Sequence, residues 1–198
     1  MAWDQLGRDA DAHNQKSRDK WIGVYIGILA VILAICGMGG GNATKDSTLR
    51  NIEASNNWGF FQAKNIRRSQ IRLQADELSL MLETTPAMPD EAKKHIRAKL
   101  DDYRAQDKVL TSDPESHQGL DELFAKGKTL EKERDLALTR DPYFDYGQAL
   151  LQIAIVLASV AIISGGAPIL AGSILLGVLG AVATVGGFTL AFPLPFAS

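Results

Sequence analysis

Charge is missing from two long stretches of this 198-residue chain: no Asp, Glu, Lys or Arg occurs at residues 21–44 or 146–198. A soluble globular domain needs charge scattered over its surface, so uncharged blocks of 24 and 53 residues exclude one. Cysteine is nearly absent as well. Cys36 stands alone inside the first block, so no intrachain disulfide can form and cysteine usage says nothing of the redox compartment. Charge of one sign is also lacking, since 21 basic residues face 23 acidic ones for a net charge of −2. The signs are interleaved, which removes the electrostatic case for nucleic acid as a partner.

The motifs of chemistry are missing too. His13, His95 and His117 pair with no Cys, Asp or Glu in a zinc-ligand pattern, and each reads as a solvated surface residue. Gly37, Gly39, Gly40 and Gly41 lack the lysine and the preceding strand of a phosphate loop. No G-x-S-x-G nucleophile elbow occurs. Acid pairs such as Asp101-Asp102 and Asp121-Glu122 sit among many charges, where a carboxylate is simply solvated. The expectation is a protein that is not an enzyme, with no catalytic residue, metal or cofactor.

What is present is an alternation of charged and apolar segments. Crossing a bilayer core of about 30 Å takes roughly 20 apolar helical residues. The expected order is a charged tail over 1–20, a span over 21–41, a helical extramembrane segment over 42–142, and a second span over 143–163. A tight turn over 164–168, a third span over 169–192 and a tail over 193–198 complete it. Trp21 and Tyr25 suit the lipid boundary at the start of the first span, and the glycine run is expected to weaken its end. A cleaved export signal would have a shorter and less acidic leader. Ile35 occupies the place where a lipoprotein box needs a small residue before Cys36. Asp141-Pro142 resembles an N-cap followed by proline at the first helical position, and Gly165-Gly166 with Pro168 marks a helical hairpin.

The segment between the first two spans reads as an all-α hairpin or small coiled-coil bundle, because no stretch alternates at period two. Ile71, Ala75, Leu78 and Leu82 recur at helical spacing. A looser seam runs upstream through Leu49, Ile52, Asn56, Gly59, Ala63, Ile66 and Leu73. Pro86 and Pro89 end that helix. A second carries Ala92, Ile96, Leu100 and Tyr103 on one side, and a third carries Leu120, Leu123, Gly127, Leu130 and Ala137.

Two sets of residues are candidates for contact with another chain. Trp58, Phe60 and Phe61, with Lys64, Ile66, Arg67 and Arg68 close by, read either as packing within the bundle or as an aromatic anchor for a partner. Since 58 and 61 share a helical side and 60 points elsewhere, one neighbour cannot take all three rings. Within the spans, Gly23 with Gly27, and then Ser173, Gly177, Gly180 and Gly187, would let helix backbones approach closely in lipid, where apolar burial drives nothing. Gln152 is expected to hydrogen-bond a neighbouring helix. No charged residue lies inside a span, so a proton relay or charged ion path is not expected.

The run Glu53-Ala54-Ser55-Asn56-Asn57-Trp58-Gly59-Phe60-Phe61-Gln62-Ala63-Lys64-Asn65-Ile66-Arg67 resembles the signature of a bacterial membrane-protein family, domain of unknown function 4337. Ala149 to Ser159 is similar to that family's second span, and the order of segments is similar along nearly the whole chain. The resemblance implies a layout rather than a mechanism. The basic residues usual in the family's final hairpin imply that this loop and the N-terminus are cytoplasmic and the helical segment periplasmic. Here Ser164 to Pro168 carries no charge; the residues by themselves leave the orientation open. Three functional expectations follow: a structural inner-membrane protein that self-associates as a homo-oligomer in the lipid bilayer, an accessory subunit of a larger membrane complex, or a channel or transport component lined by Ser159, Ser164, Ser173 and Thr184.

Overall fold

The computed structural model describes residues 2–193, with side chains from Lys16 onward; the expected C-terminal tail lies outside the described residues except for Pro193. Four helices make up the fold: α1 (Ala2–Thr84), α2 (Asp90–Thr111), α3 (Leu120–Ser164) and α4 (Ala167–Thr189). No strand occurs among the described residues. Three of the helices, α1, α3 and α4, are long and apolar enough to cross a membrane, so the all-α architecture with three candidate spans agrees with the sequence reading.

The chain divides into two compact units, one of residues up to Ser47 with Asp135 onward, the other Thr48–Arg134. In the first, α1, α3 and α4 pack around a core of Leu29, Cys36, Ala43, Phe144, Leu151 and Ala154. The interior is otherwise rich in small residues: Ala158, Ala161, Ser173, Gly177, Gly180 and Ala183 are all buried. Large apolar residues such as Val31, Val156, Ile163 and Leu175 face outward. Small residues inside and bulky ones outside invert the pattern of a water-soluble protein and suit helices packed in lipid.

Two expectations about helix ends need correction. The glycine run does not weaken α1, which continues without a break to Thr84. Gly39 and Gly40 are buried there, and a Cβ at either position would press on Phe144. Likewise Asp141-Pro142 starts no helix, because Pro142 lies inside α3. Asp141 does not cap the backbone; its carboxylate accepts a hydrogen bond from the Thr44 hydroxyl at 3.0 Å. The interior proline leaves one helical carbonyl without its usual donor. Between α3 and α4 the turn contracts to Gly165-Gly166. Gly165 has φ +66°, a left-handed conformation that a side chain would strain.

In the second unit, residues 48–84 of α1 pack with α2 and with the beginning of α3. Ile71 is buried, and Ala75, Leu78 and Leu82 are half-buried, as their spacing predicts. Upstream the prediction fails: Leu49, Ile52, Asn56, Gly59, Ala63, Ile66 and Leu73 are all exposed. The inward line instead runs through Arg50, Ala54, Asn57, Phe61, Lys64, Arg68 and Ile71, alternating steps of four and three. Its polar members made it invisible to a search for apolar periodicity.

Candidate functional site

That inward line is closed by specific partners. The Arg50 guanidinium meets Glu133 at 3.1 Å. Asn57 Nδ2 donates to the Leu123 carbonyl at 2.7 Å in a buried hydrogen bond. The Lys64 ammonium donates to the Gln118 carbonyl. Arg68 Nε reaches Asp107 Oδ1 at 2.9 Å, and Arg72 binds both oxygens of the same carboxylate. Arg72 first, and then Arg68, hold the Asp107 carboxyl below the ordinary aspartate range. Polar groups buried with partners of this kind fix which helix faces which.

The aromatic residues separate as their positions require. Trp58 stands edge-on to both Phe61 and Phe124, with centroids 5.5 and 5.6 Å apart, and its indole N–H donates to Glu131 at 3.0 Å. A Cβ at Gly127 would lie 2.8 Å from the indole, so α3 presents a glycine to make room. Lys128 and then the indole keep the Glu131 carboxyl below its ordinary range. Trp58 and Phe61 therefore pack within the chain. Phe60 is exposed, with the Lys64 ammonium 5.2 Å from its ring centroid, and Ile66 is exposed without a covering helix.

In the first unit the candidate small residues of α4 are occupied by the chain's own helices. Ser173 Oγ donates to the Ala154 carbonyl at 2.7 Å, and the Tyr25 hydroxyl donates to the Ser173 carbonyl at 3.0 Å. A Cβ at Gly177 would stand 2.6 Å from the Tyr25 oxygen, and one at Gly180 2.8 Å from Leu151 Cγ. Gly187 faces the Phe144 ring in the same way. Gly23 and Gly27 differ, since a Cβ on either would meet nothing within 4 Å. Gln152 is exposed, and Gln148, half-buried near Gly37 and Gly40, takes the inward position one turn earlier.

Sequence reasoning missed the contacts that close the turn between α2 and α3. Ser112 Oγ donates to Glu122 at 2.7 Å, and the Asp113 amide to the other oxygen of that carboxylate at 3.2 Å. The Ser112 hydroxyl, followed by the Asp113 amide, holds Glu122 below its ordinary range. A carboxylate reaching back across a turn leaves no periodic trace. Among the described residues no group of three or more His, Cys, Asp or Glu side chains is placed to hold a metal ion.

The family model described as domain of unknown function (DUF4337) matches residues 18–190. The chain belongs to this family. The matched range takes in all three candidate spans and the whole Thr48–Arg134 unit. No curated protein matches the chain, and no solved structure does.

Proposed function

We propose that this member of the family is a non-enzymatic integral protein of the bacterial inner membrane that self-associates. The observation that carries the reading is the set of large apolar side chains left open outside the spans, among them Leu49, Ile52, Leu73 and Leu80. A water-facing segment that exposes several large apolar side chains along one side of a helix is suited to having them covered. Inside the membrane the open Gly23 and Gly27 offer a second place where another helix can approach closely. An N-terminus in the cytoplasm accords with Arg18, whose guanidinium donates to the Gly165 carbonyl at 3.2 Å. The charge-free turn thus has one basic residue of the tail, Arg18, beside it, in keeping with the positive-inside rule. The Thr48–Arg134 unit is then periplasmic.

Native-mass measurement of the purified protein in mild detergent tests this reading. It predicts a mass of at least two 21.4 kDa chains. A single chain throughout contradicts it, and one chain bound to a different protein favours an accessory subunit instead.

A further inference from the structure

Between Leu49 and Leu80, α1 carries a second regular face. Leu49, Ile52, Ile66, Leu73 and Leu80 fall on one heptad frame, and Ile66 and Leu73 are 61% and 64% exposed. Asn56, Gly59, Ala63, Gln70 and Glu77 occupy the intervening positions of that frame. This face is offset by two residues from the line that packs on α2 and α3, or about 200° around the helix. The chain itself therefore covers one side of α1 and leaves the opposite side bare. We infer that this bare face is the seam of a parallel, in-register coiled coil with a second copy of the chain; the inference rests on the self-association proposed above and gives it a location.

The face and its flanking residues select a second copy as the occupant. An apolar repeat of 3.5 residues is the pattern a helix presents to another helix wound around it, rather than to a sheet or a small ligand. In a parallel, in-register pair identical positions of residues 48–84 meet.

The flanking charges permit that register. Across a parallel pair, Thr48 meets Glu53, Ser55 meets Phe60, Gln62 meets Arg67, Ser69 meets Gln74 and Asp76 meets Met81. No like charges are opposed at these flanking positions. At the seam itself Asn56 faces its own counterpart, where paired amides can bond each other and fix register.

The small residues point the same way. Gly59 weakens a helix, yet a Cβ there would meet nothing within 4 Å. Its usefulness is to a neighbour outside the chain. Finally, the face spans about 48 Å at about 10 Å width, so two copies would bury about 1,000 Å² in total, the lower bound for a specific interface. Confinement to one membrane raises the effective concentration and makes that area sufficient. Gln70 and Glu77 are the frame positions that oppose pairing, and Glu77 would face its own counterpart.

The test uses the full chain in its native membrane and after extraction in mild detergent. Joint replacement Ile66→Glu and Leu73→Glu should reduce the native mass toward a single chain, while helicity and melting of the single chain stay unchanged because both side chains are exposed. Under an added oxidant Ile66→Cys should give disulfide-linked chain pairs, whereas Asn65→Cys, one position off the seam, should not. Glu77→Gln should increase the associated fraction several-fold. If the charged double variant keeps the wild-type mass and Ile66→Cys forms no linked pair, the seam is elsewhere and this inference falls while self-association stands. If the wild type is a single chain, the broader reading falls and the inference with it.

Discussion

Trp58 meets Phe124 edge-on at 5.6 Å, and this contact joins the middle of α1 to the first turns of α3. Around it the chain supplies a glycine for room, Glu131 for the indole N–H and Asn57 for a buried carbonyl. The aromatic residues that resemble a partner-binding anchor in the sequence thus serve the chain's own packing, except for Phe60. Trp58→Ala should destabilise the Thr48–Arg134 unit by about 2 kcal/mol, less than for a fully buried indole. Thermal unfolding followed by helical circular dichroism reads the loss, and native mass should not change. An unchanged melting curve with a lower mass would return Trp58 to the interface.

Asp107 is the hub between α1 and α2, accepting from Arg68 and Arg72. Its carboxyl titrates lower in the folded chain than in the unfolded one, so the unfolded state binds the proton more readily. The stabilisation is accordingly complete above the unfolded aspartate value of about 4 and is lost as pH falls through the lower folded value. Asp107→Asn should remove the same contribution at neutral pH and flatten the acid side of a melting-temperature profile. The expected loss is a few degrees at most, because water screens an ion pair this close to the surface.

In the spans, bulk at Gly177 and loss of bulk at Leu175 should have opposite severity. Gly177→Leu forces a side chain into Tyr25 and Leu29, while Leu175 is exposed and Leu175→Ala trims a lipid-facing surface. The first variant should be destabilised by more than about 2 kcal/mol and the second by less than about 0.5 kcal/mol. Comparable melting of the two in one detergent would mean that α4 does not pack closely on α1.

Pro142 interrupts the hydrogen-bond ladder of α3. Pro142→Ala restores a backbone donor and a residue of high helix propensity, so it should stabilise the protein by about 1 kcal/mol or more, net of the entropy the unfolded chain regains. A lower melting temperature in the alanine variant would show that the proline geometry is itself used.

The architecture was legible because its causes are coarse. Charge confined to a leader and a central segment locates the spans; Pro86, Pro89 and Pro114 lie between helices, and Pro168 lies in the first turn of α4. The seam of α3 through Leu120, Leu123, Gly127 and Leu130 was also readable, being apolar and buried throughout. The α1 seam was not, since Arg50, Asn57, Lys64 and Arg68 point inward and are satisfied by groups distant in sequence. Periodicity detects apolar positions and therefore selected the bare side of that helix. Pro142 misled for a related reason: an N-cap depends on where the Asp141 carboxylate bonds, and it bonds Thr44 on another helix.

The account depends most on lipid solvating the outward apolar side chains of α1, α3 and α4, while small residues pack between those helices. The direct measurement is sedimentation of surfactant-free lysate, followed by an alkaline carbonate wash of the pelleted membranes. The protein should remain in the pellet through both steps and leave it only with detergent. Recovery of the chain in the first supernatant, monodisperse and helical, would contradict the account.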